Sequence, residues 1–344
     1  MKINHIYCGD VLDGLPEIED KSINCCITSP PYWGLRDYDV KGQIGLEKTP
    51  EEYVDNLVKV FREVKRVLRD DGTLWLNLGD CYNGSGKASS GGGTGEFSKL
   101  QQCNKGSLQV TEPTRVKDLK PKDLVGIPWM VAFALRDDGW YLRQDIIWYK
   151  KNPMPESVTD RCTKAHEYIF LLSKSKKYYF NYEAIQEEAT GYDGRKDTLM
   201  KGSGKYKDSV IPGQAEHTMA ARGHERWKFK NLADKGQQPH TMHKNRADGQ
   251  DDELYPVRNK RSVWDVNLKP FNEAHFATFP EKLIVDCIKA GCPEGGTVLD
   301  PFMGAGTTGL VSRKLNRNYI GKELKQDYIK MSNKRLYDEL GMFL

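Results

Sequence analysis

The sequence predicts a doubly wound, mostly parallel α/β sheet. Three observations carry that expectation. Short apolar runs alternate with helical periodicity in both halves of the chain. The run Ile23 to Thr28 is continuous, as in a strand covered on both faces. A glycine-rich turn, Gly304 to Gly309, joins a strand pattern to a helix pattern. With 344 residues the chain is long for one domain, so a main domain with a smaller insert is expected. The boundaries fall at 1–184, 185–262 and 263–344, the middle segment being the insert.

The elements follow in order. Residues 3–8 form a short apolar run ending at Gly9-Asp10, and 23–28 form the buried strand. Thr49 can cap a helix, Pro50 suits its first position, and Glu52 closes a capping box. Val54, Leu57, Val58, Phe61, Val64 and Leu68 continue it at helical spacing. Asp70-Asp71-Gly72 is read as its stop, with the next strand at 73–78. The Gly- and Ser-rich stretch 83–95 reads as a flexible loop. A helix at 128–135 and a strand at 141–148 come next. Residues 168–172 and 178–181 read as a hairpin around Lys174-Ser175-Lys176. Periodicity vanishes from about 185 to 261. It returns with a helix at 280–290 closed by Gly291, a strand at 297–300, a loop and helix at 304–314, a strand at 319–323 and a terminal helix at 326–340.

Composition narrows the class. Charged residues are 29% and hydrophobic ones 38%, a balance typical of a globular protein with a polar surface. No apolar run approaches the roughly 20 residues that cross a bilayer, and the N-terminus lacks a secretory pattern. A cytoplasmic protein without membrane contact is expected. The eight cysteines make no C-x-x-C pair, so neither a zinc site nor a disulfide framework is expected and no metal is assigned. Net charge is only +4, but its distribution is uneven. From Arg195 to Arg261 there are 15 Lys and Arg against 9 Asp and Glu, so the remainder of the chain sums to −2. A basic segment set into a nearly neutral protein is a footprint for a polyanion. Arg226, Lys228 and Lys230 alternate with Trp227 and Phe229 there, and they are the candidate DNA-binding residues.

Two motifs carry chemistry. In Asp300-Pro301-Phe302-Met303-Gly304-Ala305-Gly306-Thr307-Thr308-Gly309 the glycines satisfy G-x-G-x-x-G, which lets a cofactor approach the backbone at a helix N-terminus. Glu323 ends the next strand, where a carboxylate can accept both hydrogen bonds of a ribose diol. The spacing alone leaves a nicotinamide dinucleotide and S-adenosylmethionine both open. The second motif, Ser29-Pro30-Pro31-Tyr32, follows the buried strand, at a strand end where open α/β sheets bind ligands. Its two prolines give a rigid turn that cannot extend the ladder.

Ser29-Pro30-Pro31-Tyr32 resembles the catalytic motif of the DNA amino-methyltransferases, and the glycine run resembles their S-adenosylmethionine motif. The tetrapeptide precedes the glycine run, the order of the β group, which is a circular permutation of the usual methyltransferase sheet. His275 to Leu283, with Phe279, resembles the segment that packs near the methionine moiety. Gly9-Asp10 resembles the carboxylate beside the adenine ring. The resemblance covers about residues 1–182 and 263–344, and the basic insert lies where that family keeps its target-recognition region. One departure is Lys322, where an apolar residue would be usual. It implies a less buried strand end.

The resemblance implies a methyltransferase acting on double-stranded DNA. Ser29, Pro30, Pro31 and Tyr32 are the catalytic set. Asp10, Phe279, Asp300, Phe302, Gly304, Gly306, Thr307, Thr308 and Glu323 are the cofactor set. The Ser29 hydroxyl oxygen and the Pro30 carbonyl would accept the amine N–H groups, and Tyr32 would stack on the extruded base. No nucleophilic cysteine is required, which fits the lack of a Pro-Cys dipeptide. Family members with Ser before Pro-Pro-Tyr mostly modify cytosine N4 rather than adenine N6, so cytosine is the favoured target. A homodimer and a cognate restriction endonuclease are the candidate protein partners. The competing readings are a nicotinamide-dependent oxidoreductase, which leaves the tetrapeptide unexplained, and an inactive DNA-binding protein on the same fold.

Overall fold

The computed structural model describes residues 1–35, 37, 38, 40, 42–84, 116, 118–188, 257–268 and 279–341. Most of the loop at 83–95, most of the basic insert with Arg226, Lys228 and Lys230, and residues 275–278 lie outside the described residues. The chain divides into two units, Met1–Gln186 with Asn259–Leu344, and Glu187–Arg258. In the second unit, β6 (Glu187–Glu188) pairs antiparallel with β7 (Val257–Arg258), and Arg258 meets Glu187 in an ion pair of 2.9 Å.

In the first unit the strands are β1 (His5–Cys8), β2 (Ile23–Thr28), β3 (Leu68–Leu78), β4 (Tyr141–Tyr149), β5 (His166–Ser173), β8 (Val263–Asp265), β9 (Thr297–Asp300) and β10 (Asn318–Glu323). The helices are α1 (Val11–Gly14), α2 (Pro50–Val67), α3 (Ile127–Asp137), α4 (Glu281–Gly291), α5 (Thr307–Lys314) and α6 (Gln326–Leu340). The strands form one sheet in the order β1-β10-β9-β2-β3-β5-β4-β8. Only the β3–β5 and β5–β4 pairs are antiparallel, so the sheet is mostly parallel, as expected.

The apolar run Cys25 to Ile27 of β2, which follows the polar Asn24, has its cause in two-sided packing. Cys26 packs on one face with Leu57 and Phe61 of α2 and Val131 of α3. Cys25 and Ile27 pack on the other with Leu283, Ile284 and Cys287 of α4. Helices on both faces make the sheet doubly wound. From β9 the chain winds outward to β10, whereas from β2 it winds the other way to β3. The β9–β2 junction is therefore the topological switch point, and a crevice opens beyond the carboxyl ends of its strands. The α2 start forms half of the expected capping box, with the return bond made to Lys48, one residue before the Thr49 cap. The Thr49 hydroxyl accepts from the Glu52 N–H at 3.2 Å, and the Glu52 carboxylate accepts from the Lys48 N–H at 3.1 Å.

Four local expectations are corrected. First, β3 begins at Leu68, directly after α2. Asp70-Asp71-Gly72 lies inside it as an irregularity, because Ile23 pairs with Leu68 but Cys25 pairs with Thr73. Second, residues 178–181 form no hairpin strand. β5 spends its antiparallel pairing on β3 and β4, and the 178–181 backbone bonds elsewhere, Tyr179 N–H to Asp71 and Asn181 N–H to Ala290. Third, Gly291 is not a left-handed stop. A Cβ there would lie 2.6 Å from Trp75 Nε1 and 2.9 Å from Cys25 Sγ, so this glycine lets α4 press against the sheet. Fourth, Lys322 is buried, at 7% exposure, and its ammonium donates to the Cys8 carbonyl at 3.1 Å. It occupies the space beside Gly14, where a Cβ would sit 2.2 Å from Nζ. The strand end is thus well covered, because a missing side chain in α1 makes room for the lysine.

Candidate active site

The two chemical motifs meet at the switch point. One cleft is lined by Ser29, Pro30, Pro31 and Tyr32 on one side and by Phe302, Gly304, Thr307 and Glu323 on the other, with Asp10 and Phe279 also on its wall. Strand pairing explains how Asp10 arrives there. β1 runs parallel to β10 with Cys8 opposite Glu323, so the turn after β1 sets Asp10 at the end that carries Glu323. One Asp10 carboxylate oxygen accepts the Leu12 N–H at 2.8 Å and caps α1.

Glu323 is held before any ligand arrives. Its two oxygens accept the Gly304 N–H at 2.8 Å and the Lys325 N–H at 2.9 Å. Burial raises its pKa from the ordinary glutamate value, and the backbone N–H groups oppose that rise. Each oxygen keeps a lone pair for another donor. Gly304 and Gly306 adopt positive φ of 51° and 75°, which glycine accepts without strain. Gly306 serves chain packing, since a Cβ there would lie 2.9 Å from the Ser332 side chain of α6.

Three residues of the expected cofactor set, Asp300, Gly306 and Thr308, stand behind the cleft wall instead of on it. Asp300 is 1% exposed and ties the two motifs together. Its carboxylate accepts from the Thr28 hydroxyl at 2.6 Å, the Phe302 N–H at 3.0 Å and the Thr308 hydroxyl at 2.6 Å. Thr28 directly precedes Ser29, so this buried acid fixes the spacing between the tetrapeptide and the glycine loop. Burial pushes its pKa up to about 6 despite those three donors. A raised folded pKa means that the native state binds the proton more tightly than the unfolded chain. The group's contribution to stability is therefore full below about pH 4, falls as pH rises to about 6, and is level above that, a range of about 3 kcal/mol. Asp300→Asn should flatten this slope, which urea unfolding at pH 4, 5 and 6 would show. An unchanged slope would remove Asp300 as its source.

The tetrapeptide is clamped from outside. The Tyr53 hydroxyl of α2 donates to the Pro31 carbonyl at 2.8 Å, and the buried Trp33 indole donates to the Glu47 carbonyl at 3.0 Å. Pro30 lines the cleft, and among the described residues nothing donates to its carbonyl. The Tyr32 ring lies against Gly79, where a Cβ would be 2.5 Å from Cε2. Its hydroxyl lies 2.8 Å from a Glu167 carboxylate oxygen, 3.1 Å from Asn77 Oδ1 and 3.4 Å from the Ser29 hydroxyl.

Sequence reasoning missed Tyr38, Lys325 and Tyr328, which also line the cleft. Tyr38 and Tyr328 meet edge to face with centroids 6.3 Å apart, and Lys325 Nζ lies 5.2 Å from the Tyr328 ring centre. Their available signal was position, since Lys325 and Tyr328 follow Glu323 within five residues. It missed Glu167 and Asn77 as well, which pairing of β3 with β5 brings to Tyr32. Among the described residues no group of acidic, histidine or cysteine side chains could hold a metal ion, and no helix is long and apolar enough to cross a membrane.

Fold and site define an α/β protein in which a glycine loop and a Ser-Pro-Pro-Tyr turn share the switch-point cleft. The chain belongs to the DNA methylase family of N4 and N6 amino-methyltransferases, whose profile matches residues 23–334. It is 40% identical over 334 residues to the type II methyltransferase M.Cfr9I of Citrobacter freundii, covering 97% of this chain and 88% of that protein. It is 40% identical over 331 residues to M.SmaI of Serratia marcescens, covering 96% and 90%. Among solved structures it is similar to the PvuII DNA methyltransferase (cytosine-N4-specific), with a TM-score of 0.58, 17% identity, and coverage of 97% and 90%. It is also similar to a putative DNA modification methylase from Thermus thermophilus complexed with S-adenosyl-L-methionine, with a TM-score of 0.55, 20% identity, and coverage of 98% and 95%. Family membership removes the oxidoreductase reading.

Proposed function

We propose that this chain transfers a methyl group from S-adenosylmethionine to the exocyclic amine of a base flipped out of double-stranded DNA, with cytosine N4 as the target. The observation that carries the reading is the shared cleft, which sets two open acceptors, Ser29 and Pro30, against the glycine loop and Glu323. The cleft suits the cofactor chemically. It offers a half-buried carboxylate with lone pairs to spare for a ribose diol, a second carboxylate at Asp10, aromatic walls at Phe279 and Phe302, and glycine backbone at the start of α5.

An exocyclic amine is a poor nucleophile because its lone pair is delocalised into the ring. Acceptors that hold both N–H groups favour a pyramidal nitrogen and expose that lone pair. The Ser29 hydroxyl oxygen and the Pro30 carbonyl provide them. When bound, S-adenosylmethionine would supply an electrophilic sulfonium methyl; the amine would gain that methyl as the C–S bond gave its electrons to sulfur, leaving S-adenosylhomocysteine, and the surplus amine proton would pass to solvent. Positioning supplies most of the rate. Tyr32 stacks on the flipped base, and Gly79 backs its ring. Ser29 rather than an acidic residue before Pro-Pro-Tyr supports cytosine. Transfer of tritium from methyl-labelled S-adenosylmethionine to DNA tests the reading, and absence of label in DNA would contradict it.

The insert 185–262 is the proposed target-recognition region, with Arg226, Lys228 and Lys230 binding DNA phosphates. Replacing all three with Glu should weaken DNA binding and reduce the salt dependence by roughly 0.9 in logarithmic slope for each phosphate no longer neutralised. Fluorescence titrations across a salt series measure both quantities. Unchanged affinity and slope would take this stretch out of the interface. A cytoplasmic location, a homodimer and a cognate restriction endonuclease complete the proposal.

A further inference from the structure

The Tyr32 hydroxyl has one proton and three oxygen neighbours. Glu167 is the nearest at 2.8 Å and carries charge, so it takes that proton most strongly. Asn77 Oδ1, at 3.1 Å, faces the same hydroxyl as a second acceptor. The Asn77 amide cannot turn round without loss, because its N–H group donates to the Tyr168 carbonyl at 3.0 Å. Two acceptors therefore draw the Tyr32 proton away from Ser29. The lone pairs of the Tyr32 oxygen are left facing the Ser29 hydroxyl at 3.4 Å, a long contact of the kind that tightens when substrate binds. Burial, and then the Glu167 charge, push the Tyr32 pKa well above the ordinary tyrosine range, so it stays a hydroxyl. Lys150 pairs with the other Glu167 oxygen, and its ammonium lies 4.1 Å from the Trp148 ring centre. Lys150 and Glu167 are 12% and 18% exposed, so the carboxylate is held, compensated and mostly shielded.

We propose that Glu167, with Asn77, is a positioning residue that sets the direction of a hydrogen-bond chain, Ser29 to Tyr32 to Glu167, and so commits the Ser29 proton away from the substrate. A serine hydroxyl can donate or accept. With its proton committed to Tyr32, the Ser29 oxygen meets the base amine as an acceptor only. This makes serine suited to a place where a donor would oppose the amine N–H groups. Glu167 touches neither base nor cofactor in this role, and acts through Tyr32. The inference rests on the proposed amine methylation.

The test is a double-mutant cycle in the full-length enzyme with Glu167→Gln and Tyr32→Phe. Single-turnover methyl transfer to DNA is read beside cofactor and DNA affinities from calorimetry. Each single variant is expected to lose about tenfold or more in rate with both affinities unchanged. The double variant is expected to be no slower than Tyr32→Phe within about twofold, because residues that act as one chain are not additive. Additive losses would assign Glu167 a separate structural role and overturn the chain. A wild-type rate in Tyr32→Phe overturns it too, and that variant decides the matter alone if Glu167→Gln does not fold. If the unmodified enzyme methylates DNA while Glu167→Gln matches it, only this inference fails. If the unmodified enzyme transfers no methyl group to DNA, both readings fail.

Discussion

Glu323→Ala is expected to lower S-adenosylmethionine affinity by about 1.5–3 kcal/mol, roughly ten- to hundredfold. The carboxylate is the proposed acceptor for the ribose diol, and it also holds the glycine loop through Gly304 and the start of α6 through Lys325. Its loss removes an acceptor from the ligand and leaves two backbone N–H groups without their own. Glu323→Gln should fall between, because one side-chain oxygen remains while the other position becomes a donor. Calorimetry on the folded variants measures both. Unchanged affinity in folded Glu323→Ala would exclude Glu323 from the cofactor site.

Gly79→Ala is expected to slow methyl transfer about a hundredfold while leaving cofactor affinity unchanged. The new Cβ would lie 2.5 Å from Tyr32 Cε2 and 2.9 Å from Cδ2, distances that real Cβ atoms do not adopt. The Tyr32 ring must therefore move, and its hydroxyl must leave its place 2.8 Å from Glu167. A displacement of about 1 Å in a positioning group can cost about a hundredfold in rate. Stability should fall by about 1–3 kcal/mol, the usual effect of overpacking. A variant with full activity would show that the ring position does not govern the reaction.

Local sequence pattern made much of the fold legible. The apolar run Cys25 to Ile27 of β2, the Thr49–Glu52 pair and the glycine turn after β9 are each set by residues close together in the chain. Pattern failed where distant partners decide. Residues 178–181 are apolar enough for a strand, yet β5 pairs with β3 and β4 instead. Gly291 resembles a helix stop but serves close packing against Trp75, and Lys322 is buried because Gly14 leaves it room. The same division holds in the site. Ser29, Pro30, Glu323 and the glycine loop are contiguous motifs and could be found by inspection. Asp300 sits in such a motif, but its placement behind the wall depends on Thr28, which lies on another strand. Glu167 has no local signature at all. Its proximity to Tyr32 comes from strand order, which no run of neighbouring residues encodes.

Methylation of an exocyclic base amine is tested most directly by digesting DNA treated with the pure enzyme and S-adenosylmethionine to nucleosides and identifying the methylated product by mass spectrometry. N4-methylcytosine is expected. N6-methyladenine without N4-methylcytosine would overturn the choice of base but keep the amine chemistry. A product methylated at cytosine C5, or no methylated nucleoside, would rule out amine methylation by this enzyme.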